Sequence, residues 1–267
     1  MSETRIFDGA HLRAYLSHPD RSKLYVTFDH RKVGARDFAV YAPSKQALKN
    51  GFAHLKITTC QNDWYLNDDT QDLQRILTGL GQRYDSVHIM GFSMGAYGGF
   101  RFAKALNATS LVAVSPQFSV DPAMVPFDHR YRADIKGLDH SMGNLLSVPH
   151  DQLRGLILTD PFHKLDFMHA TMLQMVYPNM DIVRLSFGDH PAGLVLRQGG
   201  GFAQLQKQAF RNDPEALEII HAYRAARRSS RRYWTTRRNA LKTRWPALAA
   251  QAQENLDKLE AQTGNAG

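Results

Sequence analysis

Cysteine is almost absent from this chain of 267 residues, in which Cys60 is the only one. A lone cysteine excludes an internal disulfide and fits a reducing compartment. Long apolar runs are missing as well, since no stretch approaches the roughly 20 residues needed to span a bilayer. The first residues lack the apolar segment of a signal peptide. We therefore expect a cytoplasmic protein without a transmembrane segment.

The usual signatures of metal and cofactor sites are also missing. The sequence has no His-Glu-x-x-His motif, and one cysteine cannot build a zinc cluster. Gly199–Gly201 lacks the Lys-Ser/Thr pair that completes a phosphate-binding loop. No Gly-x-Gly-x-x-Gly turn follows the apolar strand segments. We expect neither a metal ion nor a bound cofactor.

Acidic residues are absent from one window near the C-terminus, between Ile220 and Trp245. The window holds nine basic residues: Arg224, Arg227, Arg228, Arg231, Arg232, Arg237, Arg238, Lys242 and Arg244. Removing these nine from the 33 basic residues leaves 24, against 25 acidic residues, so the rest of the chain is close to neutral. Three interpretations stay open: a solvated helix face, a landing surface for an anionic partner such as nucleic acid or lipid, and a docking site for an acidic protein or second subunit.

The body of the chain alternates short apolar segments with helical ones, from Leu24–Phe28 to Ile182–Leu185. This alternation predicts an α/β fold with a mostly parallel sheet and helices on both faces. We assign residues 1–212 to this domain, with 116–152 as an insertion or lid over the carboxyl edge of the sheet. Residues 213–267 are expected to form a basic helical extension.

The stretch Val87–Phe100 contains the most specific motif in the chain. An apolar strand leads into the turn Gly91-Phe-Ser-Met-Gly95, and a predicted helix follows. A Gly-x-Ser-x-Gly turn between a strand and a helix is the nucleophile elbow of a serine enzyme, with glycines where strand and helix approach closely. We therefore predict that Ser93 is a nucleophile, the alternative being a chance turn.

A nucleophilic serine needs a histidine base and an acid that orients it. With an elbow of this kind, the expected order along the chain is serine, acid, histidine. Asp160 ends a predicted strand and is our choice of acid, with Asp166 in reserve; the structural alternative for Asp160 is a cap of the next helix. His190 follows the last predicted strand and is the expected base.

The oxyanion formed in such a reaction needs two backbone N–H donors. One is expected from Met94, the residue after the nucleophile. The second is expected from the loop after the Leu24–Phe28 strand, at Asp29 or His30. The sequence lacks the His-Gly pair often found in that loop, and an acidic side chain there must point away from the oxyanion.

The elbow, Asp160 and His190 together resemble the α/β-hydrolase superfamily over about residues 20–210. Three motifs resemble a bacterial branch of that superfamily whose members often occur beside polysaccharide or surface-glycan functions: Gln61–Tyr65, Gly91–Tyr97 and Val114–Phe118. The Gly-x-Ser-Met-Gly elbow is similar to that of glycan O-acetyltransferase-like proteins of the accessory secretion system. The motifs also suggest residues near the substrate pocket, or residues that only pack the sheet edge: Trp64, Tyr65 and Gln117.

These observations favour a serine hydrolase that cleaves a carboxylic ester or thioester, small or glycan-linked, through an acyl-enzyme on Ser93. If a sugar hydroxyl replaces water, the same site becomes a glycan O-acyltransferase. If water attacks and the ester is on a glycan, it becomes a deacetylase linked to surface polysaccharide. The competing hypothesis is a non-catalytic binding module that uses its basic extension. That hypothesis predicts that Ser93, Asp160 and His190 do not converge.

Overall fold

The protein is built around one mixed sheet of eight strands, described here from a computed structural model over residues 3–34 and 36–264. The strands are β1 (Glu3–Asp8), β2 (Leu12–Ser17), β3 (Lys23–Phe28), β4 (Ala53–Thr59), β5 (Ser86–Phe92), β6 (Ser110–Val114), β7 (Arg154–Thr159) and β8 (Met180–Arg184). They lie in the order β1-β2-β4-β3-β5-β6-β7-β8. β3 to β8 are mutually parallel, whereas β2 pairs antiparallel with both β1 and β4. The sequence reasoning did not predict β1 and β2.

Helices connect and cover these strands. They are α1 (Lys45–Lys49), α2 (Thr70–Gly81), α3 (Met94–Ala103), α4 (Lys164–Val176), α5 (Leu194–Gln198), α6 (Phe202–Gln208), α7 (Ala216–Ala226), α8 (Arg231–Leu241) and α9 (Pro246–Gly264). Proline begins α9, a position where its missing N–H costs no hydrogen bond. Within the described ranges, none of the helices combines the length and apolar character needed to cross a membrane.

The central strands β3 to β7 are buried on both faces, as their nearly continuous apolar sequences require. In β6, Leu111 and Ala113 join one hydrophobic core, while Val112 and Val114 join the other. Successive side chains of a strand point to opposite faces, so one short strand contributes to both layers. The predicted α/β class with helices on both faces is confirmed.

Part of the C-terminal region packs into the second of these cores. Ile219 and Tyr223 of α7 are buried there, as is Tyr233 of α8. α9 packs mainly along α8. These contacts bring the basic helices next to the segment that follows β8.

The carboxyl ends of the parallel strands gather the chemically interesting residues at one edge of the sheet. Ser93 follows β5, Ser115 follows β6, Asp160 follows β7 and His190 lies in the loop after β8. In open α/β sheets, the crevice outside this edge is where ligands bind.

Candidate active site

Ser93 occupies the sharp turn between β5 and α3 in a backbone conformation that side chains rarely adopt. Its φ is 51° and its ψ is −121°. The turn is held because Ser93 N–H donates to Val114 C=O at 2.9 Å, while Ser93 C=O accepts from Ala96 N–H. Residues in such strained conformations persist only where the surroundings fix them, and they concentrate at functional sites.

Glycine is required at positions 91 and 95 because the neighbouring backbone leaves no room for a side chain. A Cβ on Gly91 would lie 2.5 Å from the carbonyl oxygen of Gly95. A Cβ on Gly95 would lie 2.8 Å from the carbonyl oxygen of Asp29. Both obstacles are backbone atoms that cannot swing away, so only hydrogen fits at either position.

The structure brings Ser93 and His190 together. The hydroxyl oxygen of Ser93 lies 2.9 Å from Nε2 of His190, and Nδ1 of that ring lies 2.6 Å from Oδ2 of Asp166. A proton on Nδ1, donated to the carboxylate, leaves Nε2 as an acceptor for the serine hydroxyl. The predicted nucleophile, the predicted base and the reserve acid are therefore in hydrogen-bonding contact, in the expected order along the chain.

The partner of His190 is Asp166, which corrects the choice of Asp160. Asp166 lies in the first turn of α4, where His163 caps the helix by accepting from Asp166 N–H at 3.3 Å. The partial positive charge at a helix N-terminus favours a carboxylate there. The acid is therefore presented by a helix rather than by the end of β7.

Asp166 is fully buried, and both of its oxygens are bonded. Its second oxygen accepts from Nη1 of Arg130 at 2.7 Å. Burial by itself would raise the pKa of Asp166, but the hydrogen bond to His190 and the charges around it outweigh burial. The pKa therefore lies below its usual value, and the carboxylate stays ionised beside the histidine.

Arg130 is itself held in place by a buried network. Its guanidinium makes a forked contact with Asp128, at 2.7 Å for the shortest pair. Asp128 also accepts from Nε2 of His169, whose Nδ1 accepts from Phe118 N–H. The tripeptide Asp128–Arg130 thus fixes the orientation of the acid. Sequence reasoning assigned this tripeptide no role.

Asp160 has another function in the structure. Its carboxylate, 1% exposed, accepts from the backbone N–H groups of Phe162, Phe187 and Asp189 at 2.8–2.9 Å. The bond to Phe162 closes a turn within two residues of Asp160. The cap of the next helix is His163, so Asp160 is not the helix cap that the sequence alternative named. The other two bonds hold the loop that carries His190.

The backbone donors expected for an oxyanion are partly as predicted. Met94 N–H lies in the first turn of α3, where a helix offers its amides no internal acceptor. Asp29 N–H, in contrast, donates to Ile57 C=O at 3.2 Å, because the β3–β4 pairing continues to this residue. The N–H of Asp29 is therefore already used within the sheet, and the prediction that it donates to an oxyanion is wrong. His30 N–H, the other residue named from sequence, has no acceptor among the described residues and is the candidate that remains.

The three predicted pocket residues are completely buried beside the site. Trp64 Nε1–H donates to Gln117 Oε1 at 3.0 Å, and Gln117 Nε2 lies 3.5 Å from Ser93 Oγ. The Tyr65 hydroxyl donates to Asp29 C=O at 2.6 Å, which ties down the loop that carries His30. These side chains pack beneath Ser93 and the loop that carries His30, and they do not line open space.

Tyr131 is a site residue that sequence reasoning missed. Its hydroxyl lies 3.5 Å from His190 Nε2, and its ring packs on Trp64 with centroids 4.7 Å apart. Burial raises the pKa of Tyr131, so its hydroxyl keeps its proton. It comes from the 116–152 segment, where no local motif marks one aromatic residue among several.

A pocket of about 240 Å³ lies against the residues next to Ser93 and His190 in the chain. Phe92 and Pro191, the chain neighbours of Ser93 and His190, form part of its wall together with Leu194 and Phe202. His30 and Arg197 also line it. The site therefore combines a serine–histidine–aspartate arrangement with a mostly apolar cavity.

Comparisons with known proteins agree at the level of the fold. No family model matches the sequence, and no curated protein is similar to it in sequence. Among solved structures, a capsule O-acetyltransferase of Neisseria meningitidis serogroup A in complex with CoA matches with a TM-score of 0.50 and 14% identity, over 67% of this chain and 85% of that one.

Two further matches have lower scores. Est1E of Butyrivibrio proteoclasticus matches with a TM-score of 0.47 and 15% identity, over 79% of this chain and 100% of that one. An esterase of Pyrococcus furiosus matches with a TM-score of 0.42 and 13% identity, over 73% and 84%. At such identities, similarity concerns architecture alone. The chain has an α/β-hydrolase-like fold.

Proposed function

We propose that this protein is a serine hydrolase that cleaves a carboxylic ester or thioester through an acyl-enzyme on Ser93. One observation carries the proposal: Ser93 Oγ, the imidazole of His190 and the buried carboxylate of Asp166 form a continuous chain with contacts of 2.9 and 2.6 Å. A serine hydroxyl becomes a useful nucleophile when a base in this position accepts its proton.

In the acylation step, Ser93 Oγ attacks the substrate carbonyl carbon while His190 Nε2 takes the hydroxyl proton. Asp166 stabilises the imidazolium that forms, and its hydrogen bond to His190 together with nearby charges, Arg130 among them, keeps it ionised. The carbonyl oxygen becomes an oxyanion, to which the N–H groups of Met94 and His30 donate. Such preorganised donors contribute about 3–4 kcal/mol each to transition-state stabilisation in enzymes of this kind.

Acylation ends when the first tetrahedral intermediate collapses: its bond to the alcohol or thiol breaks, the imidazolium gives its proton to that leaving group, and Ser93 is left acylated. Water then enters, His190 removes one of its protons, and the hydroxide adds to the acyl carbon. Collapse of this second tetrahedral intermediate returns the proton to Ser93 and releases the acid. An acceptor hydroxyl in place of water would produce acyl transfer, so the fate of the acyl-enzyme has to be measured.

The apolar pocket supports a substrate with a short or medium acyl chain. Its volume is about 240 Å³, and Phe92, Leu194 and Phe202 give it an apolar wall. Each buried methylene contributes about 0.8 kcal/mol, so affinity rises with chain length until the pocket is full.

The test is hydrolysis of p-nitrophenyl esters and the matching thioesters that carry acetyl, butyryl, octanoyl or palmitoyl groups. We expect wild type to cleave at least the shorter members, and Ser93→Ala or His190→Ala to lose several orders of magnitude in kcat/KM. Ser229→Ala, a change at an exposed serine outside the site, serves as the matched control. Added alcohols and sugars measure transfer against hydrolysis.

Activity that survives in Ser93→Ala would contradict the proposal. A wild type that turns over none of these esters, and does not differ from Ser93→Ala, would favour the non-catalytic alternative.

A further inference from the structure

The loop after β8, residues 185–190, carries His190 in a conformation that costs energy. Phe187 and Asp189 have positive φ angles of 64° and 58°. Non-glycine residues in this region cost about 1–3 kcal/mol each and persist only where their surroundings hold them. The position of the imidazole therefore depends on whatever fixes this loop.

Two side chains hold the first part of the loop. Asp160 accepts from the N–H groups of Phe187 and Asp189, as described above. From α7, the Tyr223 hydroxyl donates to Ser186 C=O at 2.8 Å. The end of the loop, at Gly188 and His190, is not reached by either.

Arg232 of α8 holds that end. Its Nη2 donates to His190 C=O at 2.7 Å and to Asp189 Oδ2 at 2.9 Å, and its Nε donates to Gly188 C=O at 3.3 Å. One planar guanidinium thus spans three consecutive residues of the loop. The rigid fork of arginine suits such multiple contacts, whereas the point charge of lysine does not.

The start of α8 is itself anchored, so that Arg232 is presented from a fixed base. Ser230 caps the helix by accepting from Tyr233 N–H at 3.2 Å. Gln198 accepts both from the Ser230 hydroxyl and from Arg232 N–H. The ring of Tyr233 packs edge-on against Phe187, with centroids 5.9 Å apart.

We propose that Arg232 is a positioning residue, and that α8 is thereby a working part of the active site rather than an appendage. It holds the carbonyl of His190 so that the imidazole stays within reach of Ser93. The inference rests on the proposed function. A displacement of about 1 Å in a catalytic group reduces turnover about 100-fold, so a small movement of this loop suffices.

The role assigned to Arg232 differs from that of a surface ion pair. An exposed pair with Asp189 alone would contribute about 0–1 kcal/mol to stability and nothing to turnover. Asp189→Asn removes the charge pair while leaving both carbonyl contacts of Arg232 available. We therefore expect Asp189→Asn to keep most of the wild-type kcat.

The experiment compares Arg232→Ala and Arg232→Lys with Arg231→Ala, the neighbouring exposed arginine that pairs with Glu260. Arg232→Ala is expected to lower kcat about 100-fold with little change in KM, and Arg232→Lys to fall between it and wild type. Guanidinium ion at non-denaturing concentration should restore part of the activity of Arg232→Ala by occupying the vacated place. Arg231→Ala should behave as wild type.

A second readout does not depend on turnover. In ¹⁵N-histidine-labelled protein, the strongly hydrogen-bonded Nδ1 proton of His190 should give a low-field signal that is lost or broadened in Arg232→Ala and retained in Arg231→Ala. The inference is overturned if Arg232→Ala keeps both this signal and the kcat of Arg231→Ala. It is also overturned if Arg232→Ala loses activity only because it unfolds and guanidinium restores none of that activity. Absence of Ser93-dependent activity in wild type would instead overturn the proposed function.

Discussion

At the scale of single residues, Asp160 and Asp166 have different roles, although either one satisfies the expected order of serine, acid and histidine along the chain. Asp166 bonds the imidazole of His190, whereas Asp160 bonds three backbone N–H groups. Sequence reasoning placed the acid at the strand end because a carboxylate there reaches the sheet edge. It could not foresee that α4 would begin at Lys164 and turn its first buried carboxylate towards the histidine.

Substitution of these two aspartates should separate their functions. Asp166→Asn is expected to lower kcat by three to four orders of magnitude, because the imidazole loses the partner that sets its tautomer. Asp160→Asn turns an amide NH₂ towards backbone N–H donors and should cost about 1–3 kcal/mol of stability, with a smaller loss of kcat. Steady-state kinetics and urea unfolding of both variants test this, and a larger loss of kcat in Asp160→Asn would refute it.

At the scale of elements, the strand–elbow–helix unit was predictable because its constraints are local. A Cβ on Gly91 would clash with the backbone of Gly95, and a Cβ on Gly95 would clash with the backbone at the end of β3. The Gly-x-Ser-x-Gly motif encodes this geometry. The second oxyanion donor was not predictable to one residue, since it depends on how far the β3–β4 pairing extends. The contact of Arg232 with His190 joins residues 42 positions apart, and no local pattern encodes it.

The packing of α3 against the β3 loop gives a prediction with a matched control. Gly95→Ala places a methyl group 2.8 Å from the carbonyl oxygen of Asp29, so we expect about 1–3 kcal/mol of destabilisation and a loss of kcat as the His30 loop moves. Gly79→Ala, at an exposed site in α2 with open space, should instead stabilise by about 0.5–1 kcal/mol. Thermal unfolding and kinetics of both variants provide the measurement, and equal behaviour of the two would contradict this packing.

At the scale of the whole molecule, the body is nearly neutral and the nine basic residues of the window lie in and beside α7 and α8. Arg232 is engaged with the His190 loop, while Arg231 and Arg238 contact Glu260 and Gln253 of α9. Some arginines of the basic window therefore make contacts within the protein. An anionic partner at its remaining exposed arginines stays a proposal, which the salt dependence of heparin binding would test.

Global stability should depend on pH through two buried histidines. Burial, assisted by Lys56, lowers the pKa of His54 to about 4, and burial also lowers the pKa of His88 to about 4. In the unfolded chain, each titrates near ~6.5. The unfolded state therefore binds more protons between about pH 6.5 and pH 4, so stability is full above this window and falls as the pH decreases through it, by at most about 1.4 kcal/mol per pH unit for each histidine.

Urea unfolding at about pH 7 and about pH 5 measures this dependence. We expect the loss between the two conditions to shrink in His54→Gln and in His88→Asn, compared within each variant. His221→Asn, at an exposed position of α7, should keep the wild-type loss. An unchanged loss in both buried variants would show that other groups dominate the acid sensitivity.

The central claim, that His190 activates Ser93 as a nucleophile, is tested most directly by a fluorophosphonate that reacts with activated serines. Intact-mass and peptide analysis should find one adduct, on Ser93 of the wild type, with labelling slowed by orders of magnitude in His190→Ala. Absence of an adduct at Ser93, or equal labelling rates in wild type and His190→Ala, would contradict it.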